Sequence, residues 1–352
     1  MSYLDNIRKV TPYTPGEQPK VEGEIIKLNT NEFPYPPSPM VKEALDAIEQ
    51  DKLRLYPNVT AAPIVKALSV RYGFSEDEIF VGVGSDDVLA NAFLTFFASD
   101  KPILFPDVTY SFYDVWADLY RIPYERIPLN EEFKIVKEDY YRENGGVVIA
   151  NPNAPTGISL PLEDIEDIIK NNQDSVVIVD EAYVDFGGTS AVSLVKKYDN
   201  LVVVQTFSKS RAGAGMRIGF AFANKTLIKY LNDVKFSINS YTMNLMAITA
   251  GVASINDEQY FVDTVTRVIK TREWAKVELV KLGFNVLDSK TNFVFVIHKD
   301  KSAKEIFEYL KTKNIFVRYF SKPERINNFL RITIGTEEQM EKLISVLKEY
   351  LK

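Results

Sequence analysis

Leu201 to Gly219 reads LVVVQTFSKSRAGAGMRIG. Four apolar residues running into Thr206-Phe207-Ser208-Lys209 predict a strand buried on both faces that delivers a serine and a lysine at its C-terminal edge. In open α/β sheets, ligands collect at that edge. The Gly/Ala-rich loop that follows carries Arg211 and Arg217, so hydroxyl, amine and guanidinium are expected to converge on one anion. A lysine amine partly desolvated beside other cations loses its proton near neutral pH and then adds to a carbonyl compound. An isolated Ser-Lys is more often a solvated surface pair, so the catalytic reading depends on what the rest of the chain supplies.

Working back from this stretch, the same pattern repeats. Ile79 to Val83 predicts a strand, Gly84-Ser85-Asp86-Asp87 a turn, and Val88, Leu89, Phe93, Phe96 and Phe97 the apolar face of a helix. Free N–H groups of Ser85 and Asp86 at such a helix start form an anion site, although a glycine turn of this kind is commonly only a tight turn. Strands are expected at Pro102 to Phe105, Val147 to Ala150 and Val176 to Val179. Helices are expected from Tyr110 and over Leu162 to Asn171. Short apolar strands alternating with amphipathic helices indicate an α/β fold with a mostly parallel central sheet covered on both faces.

Working forward, Tyr260 to Leu282 is one long helical pattern ended by Gly283, expected to act as the hinge between two lobes. Beyond it come strands at Phe284 to Leu287, Asn292 to Ile297, Ile315 to Arg318 and Phe329 to Ile334. A helix from Ser302 and a last helix opened by the capping box Thr336 to Gln339 complete a smaller α+β lobe. At the other end, Thr11-Pro12-Tyr13-Thr14-Pro15-Gly16 reads as an extended arm crossing a surface. Ile25 to Leu28 reads as a short strand. Ser38 and Pro39 then start a helix as N-cap and first helical residue, and Leu55-Tyr56-Pro57 is a loop before a second helix around Ile64, Val65 and Leu68.

Composition removes whole classes of chemistry. With no cysteine and a single histidine, His298, the 352 residues offer no disulfide, no Cys/His zinc site, no thiol nucleophile and almost no route to a Ser-His-Asp triad. His298 closes an apolar run and reads as a strand-edge residue. Acid-base work therefore falls to lysine, tyrosine, carboxylates or a cofactor. A net charge of -6 argues against nucleic acid as the main partner. There is no 18-residue apolar run, and Met1 to Val10 holds Asp5, Arg8 and Lys9 without an apolar centre, so neither membrane span nor leader is expected and the cytoplasm is the expected address.

Three strand ends carry polar groups in apolar surroundings: Asn151 to Gly157 (NPNAPTG), Asp180-Glu181-Ala182-Tyr183, and Ser208-Lys209 with Arg217. A carboxylate closing the run Val176 to Val179 is costly to bury unless a cation or donor meets it. A protonated heteroaromatic nitrogen is such a partner. The order of Asp180, Lys209 and Arg217 resembles the fold-type-I pyridoxal phosphate aminotransferases, and the likeness runs through almost the whole chain.

That resemblance implies residues 1–30 as an arm and small-domain segment, 31–260 as a large domain binding pyridoxal 5'-phosphate, and 261–352 as a C-terminal small domain. It implies Lys209 as the lysine that holds the cofactor and shuttles the proton, Asp180 as partner of its ring nitrogen, and Tyr183 as donor to its phenolic oxygen. Tyr110 would stack on the ring, while Ser208, Arg217 and the N–H groups of Ser85 and Asp86 would hold the phosphate. Tyr56 matches a tyrosine that reaches this phosphate from a second subunit, implying a homodimer with shared sites. Read alone, Tyr110 and Tyr183 are equally core tyrosines and Tyr56 a loop anchor. The family commonly has asparagine where this chain has Ala154. Either Tyr183 then serves the phenolic oxygen alone or Asn153 substitutes.

Within the family, the arm around Tyr13, the segment Leu28-Asn29-Thr30-Asn31-Glu32 and the pair Arg318 and Arg331 most resemble the histidinol-phosphate aminotransferase branch. The likeness implies histidinol phosphate and glutamate/2-oxoglutarate as substrates, with Tyr13, Arg318 and Arg331 binding them, since a guanidinium forks onto carboxylate or phosphate. An aromatic amino acid aminotransferase or an amino-acid-phosphate decarboxylase of the same fold is the alternative. A regulator retaining the fold would need a DNA-reading module, and no basic helix-turn-helix precedes Tyr13.

Overall fold

The computed structural model describes residues 2–19 and 23–352; Met1 and residues 20–22 of the expected arm lie outside them. After a short strand β1 (Ile26–Leu28), the chain forms α1 (Pro39–Asp46) and α2 (Ala62–Tyr72). The Ser38 hydroxyl accepts from Met40 N–H, and Pro39 takes the first position of α1, where its missing N–H costs nothing. Then follow β2 (Ile79–Gly82), α3 (Ser85–Phe96), β3 (Ile103–Pro106), α4 (Phe112–Tyr120), β4 (Tyr124–Ile127), β5 (Gly146–Ala150), α5 (Leu162–Lys170), β6 (Val177–Asp180), β7 (Leu201–Thr206) and β8 (Gly219–Phe222). Two helices, α6 (Lys225–Ile238) and α7 (Leu245–Asn256), lead to the long α8 (Glu258–Lys281).

Seven strands lie in the order β2-β8-β7-β6-β5-β3-β4, all parallel except β8, which runs antiparallel to both its neighbours. The central strands bury both faces, which is why they read as unbroken apolar runs. Along β7, Leu201 and Val203 pack into the layer formed by α2, α5 and α7, whereas Val202 and Val204 pack into the layer of α3, α4 and α6. Each fully buried Val, Leu or Phe contributes roughly 1.5–3 kcal/mol through the apolar area it removes from water. Because β2, β5, β6 and β7 end on the same edge, the turns after Gly82, Ala150, Asp180 and Thr206 are brought together there.

The remaining strands, β9 (Phe284–Val286), β10 (Phe293–His298), β11 (Ile315–Tyr319) and β12 (Leu330–Thr333), form a second sheet in the order β1-β11-β12-β10-β9, covered by α8, α9 (Ala303–Thr312) and α10 (Glu337–Leu351). β1 pairs in parallel with β11, so the N-terminal segment completes the smaller lobe. The capping box at Thr336 and Gln339 opens α10 as expected. His298 is a structural residue: its Nδ1 accepts from the N–H groups of Asp300 and Lys301, which leaves Nε2–H to donate to Leu282 O.

Strands β4 and β8 and helices α6 and α7 are not anticipated from the sequence. β4 is an edge strand reading YERI, half polar, and β8 is only four residues long behind Gly219. α6 had a usable signal. Asn224 stands before it and accepts from Leu227 N–H, with Ile228 and Leu231 on one face.

Candidate active site

At the common strand edge lies a cavity of about 210 Å³ whose wall includes Ser85, Asp86, Tyr110, Asp180, Tyr183, Ser208, Lys209 and Arg217. Eight of the expected site residues therefore meet. Among the described residues, Lys209 is the one amine on the wall, its Nζ 5.6 Å from the centre of the Tyr183 ring.

Asp180 ends β6 at the floor. The Tyr113 phenol donates to its Oδ2 at 2.8 Å, and Oδ1 is buried without a hydrogen-bond partner. Burial pushes the Asp180 carboxyl up to about 6 against the opposing pull of the Tyr113 hydroxyl; Asp86 pushes it further up. Glu181, one residue on, is buried away from the cavity, and its carboxylate takes the Ser190 hydroxyl, the Ala191 N–H and the Gln205 amide.

The anion corner forms where the α3 N-terminus meets the loop after β7. Gly84, with φ of 89°, turns the chain into α3, and a Cβ there would stand 2.4 Å from Arg217 Nη2. Only glycine allows both the turn and so close an approach. Arg217 reaches Ser208 Oγ at 3.4 Å and Asp86 Oδ2 at 3.3 Å, and Tyr110 donates to Asp86 Oδ1 at 2.9 Å. Arg211 does not join them, contrary to the expected convergence of two arginines. It is buried behind the loop, donating to Ser254 O and lying 4.2 Å from the centre of the Phe261 ring. The Ser254 carbonyl, the Phe261 ring and the Glu258 carboxylate 3.7 Å away hold it there, so one guanidinium serves the corner.

Tyr183 lies at the mouth, its hydroxyl accepting from Asn31 Nδ2 at 2.9 Å. Ala154 lines the cavity beside it. Asn153 is not the substitute that the sequence left open: its Oδ1 accepts from Thr109, and its Nδ2 donates to Val108 O and Thr156 Oγ1. Those bonds turn the amide away from the cavity.

Arg318 and Arg331 face each other in register on β11 and β12. Arg331 donates through Nη2 to Asn29 O at 3.1 Å, packs 5.3 Å from the Phe293 ring centre, and leaves Nε buried and unpaired. Burial, reinforced by the Arg318 charge, pulls Arg331 below its usual value, so an anion between the two would restore it. A wider cavity of about 860 Å³ adjoins, walled by Tyr13, Tyr110, Arg318 and Phe320. Tyr13 stacks on Phe112 with centres 4.4 Å apart, which places the arm over this mouth. Of the expected residues, Arg331 and Tyr56 line neither cavity, and Tyr56 is the exposed one. It is 81% exposed, stacked on Tyr241 at 4.5 Å, and absent from its own chain's cavity wall.

Two groups escaped the sequence reading. Tyr113 is an aromatic in an aromatic helix, with nothing local to tell it from core. Asn31 lay inside a quoted segment, but its partner is 152 positions away.

The family model for class I and II aminotransferases matches residues 23–347. The chain belongs to this family. It is 52% identical over 352 residues to the histidinol-phosphate aminotransferase of Lactococcus lactis subsp. cremoris strain MG1363, covering 100% of this chain and 98% of that one. With the enzyme of that name from Brachyspira hyodysenteriae it shares 51% over 349 residues, 99% of this chain and 98% of the relative. The fold matches the histidinol-phosphate aminotransferase of Clostridium acetobutylicum with a TM-score of 0.84 at 24% identity, covering 93% and 99% of the two chains. It also matches the Sinorhizobium meliloti enzyme in complex with pyridoxal-5'-phosphate with a TM-score of 0.85 at 21% identity, over 93% and 91%. The aminotransferase cavity described above fits pyridoxal phosphate: Asp180 Oδ1 is a buried acceptor without a donor, Gly84 leaves Arg217 a place beside the α3 N–H groups for a phosphate, and Lys209 is the one amine on the wall among the described residues. Among the described residues no helix is long and apolar enough to cross a membrane.

Proposed function

We propose that this aminotransferase moves the amino group of L-histidinol phosphate to 2-oxoglutarate, giving imidazole acetol phosphate and L-glutamate, as a cytoplasmic homodimer. The observation that carries the substrate is Arg331, half-buried with its Nε buried and unpaired, and Arg318 opposite it in register. A planar fork of donors receives a phosphate monoester in one half-reaction and a glutamate carboxylate in the other. Arg318 and Tyr13, on the wall of the adjoining cavity, add donors that a phosphate dianion uses more fully. The names of relatives at 50–52% identity over the whole chain support the same substrate.

Pyridoxal phosphate, when bound, supplies an aldehyde that takes up the amine and a protonated ring that accepts an electron pair. In this reading Lys209 Nζ holds the cofactor and moves a proton on and off the substrate Cα. Asp180, with its Oδ1 unpaired, would keep the proton on the ring nitrogen. Tyr183 donates to the phenolic oxygen, and Tyr110 packs against the ring. Ser208, Arg217 and the backbone N–H groups of Ser85 and Asp86 would hold the phosphate. Tyr56 reaches the phosphate bound by the partner subunit; its exposure, with Leu53, Leu55 and Tyr241 also exposed, suits an interface.

Absorbance titration of the cofactor-loaded protein with histidinol phosphate, tyrosine and glutamate in separate cuvettes tests the substrate. Spectral conversion by histidinol phosphate and glutamate supports the proposal; conversion by tyrosine but not histidinol phosphate overturns it.

A further inference from the structure

Ala154 leaves the cofactor's phenolic oxygen one donor short of the family's usual pair, and Asn153 is fully engaged elsewhere. Among the described residues, the side-chain amide that donates to Tyr183 comes from the other end of the chain. Asn31 sits in a left-handed turn with φ of 56°, a conformation asparagine tolerates better than most residues. Four hydrogen bonds hold it: Asn31 N–H to Thr333 Oγ1 at 3.0 Å, Thr333 Oγ1–H to Asn31 Oδ1 at 3.1 Å, Asn292 Nδ2 to Asn31 O at 3.0 Å, and Asn31 Nδ2 to Tyr183 Oη at 2.9 Å. Because Thr333 occupies Oδ1, the amide presents its N–H to Tyr183. A hydroxyl that accepts from such a donor has its own hydrogen left to give, and polarisation along the chain strengthens that second bond.

We infer that Asn31 is a positioning residue that makes good the missing asparagine at 154, by fixing the Tyr183 hydroxyl so that its hydrogen points to the cofactor's phenolic oxygen. This rests on the proposal that pyridoxal phosphate is held at Lys209. The consequence is electronic. A phenolic oxygen well supplied with donors holds negative charge without help from the proton on the neighbouring nitrogen, so that proton leaves at lower pH. Weakening the Tyr183 bond makes the proton harder to lose.

The test is the pH midpoint of the bound cofactor's visible absorbance, read without substrate. Asn31→Ala raises the midpoint by about half to one pH unit, the worth of one hydrogen bond. Ala154→Asn in the natural chain lowers it. Combined with Asn31→Ala, it returns the midpoint to within a few tenths of the natural value. If Asn31→Ala does not fold, Thr333→Val decides: it frees the amide from its anchor and shifts the midpoint in the same direction by less. An unchanged midpoint in whichever of these two variants is decisive overturns the inference, as does a double variant that stays at the Asn31→Ala value. A change in melting temperature alone, with the midpoint fixed, is the signature of a merely structural Asn31 and also overturns it. If the natural chain shows no visible band with cofactor in excess, the proposed cofactor site has failed instead.

Discussion

The phenol of Tyr113 donates to Asp180 Oδ2 at 2.8 Å and leaves Oδ1 unpartnered at the cavity floor. A helix residue thus orients the carboxylate that closes β6. Tyr113→Phe removes a hydrogen bond to a group that must stay ionised, a loss of about 1.5–3 kcal/mol. The dissociation constant for pyridoxal phosphate, measured by titrating stripped protein, is expected to rise about 10- to 150-fold. An unchanged constant would remove Tyr113 from the site.

Burial raises Asp180 to about 6 in the protein without cofactor, and a cationic ring nitrogen at Oδ1 would draw it down again. A carboxyl raised in the folded state contributes stability that is complete below its unfolded value near 4 and is lost as pH rises through about 6. The stripped protein therefore loses on the order of 2–3 kcal/mol across that window from this group, and the loaded protein loses less. Buried Glu181, raised to about 7, affects both forms alike and cancels in their difference. Melting curves at pH 5 and pH 7.5 are expected to show a larger gap between loaded and stripped protein at the higher pH, and Asp180→Asn is expected to flatten it.

The arginine pair separates the two amino donors. Arg318→Ala is expected to lower kcat/KM for histidinol phosphate by about 10- to 150-fold, the worth of a charged hydrogen bond, with a smaller loss for glutamate. Arg331→Lys keeps a positive charge but loses the fork, so both donors suffer. Equal losses for both donors in Arg318→Ala would show that Arg318 does not read the phosphate.

Tyr56 is exposed and does not line its own chain's cavity, so its proposed role requires a second subunit. Tyr56→Ala and Lys209→Ala are each expected to be poor enzymes alone. Refolded together, their hybrid dimers contain one site with an intact lysine and an intact partner tyrosine, and activity is expected to recover. No recovery would place Tyr56 outside the site.

The sequence made the large sheet legible where strands are buried on both faces, because β5 and the leading residues of β6 and β7 had to be apolar, and the residues following each such run then stood out as ligand-facing. β4 escaped because a half-exposed edge strand is half polar. Lys209, Asp180, Tyr183, Ser208 and Arg217 were readable because each sits at a strand end or in the adjoining loop. Tyr113, Asn31 and the diversion of Arg211 were not, since each depends on contact between distant segments: Asn31 with Tyr183 and Thr333, and Arg211 with Ser254 and Phe261. The register of Arg318 against Arg331 required the antiparallel pairing of β11 with β12, which two arginines 13 positions apart do not reveal.

Borohydride reduction of protein saturated with pyridoxal phosphate, followed by peptide mapping, tests the central claim most directly. One stoichiometric pyridoxyl label on Lys209 is the expected result. A Lys209 left unlabelled while cofactor is in excess would contradict it.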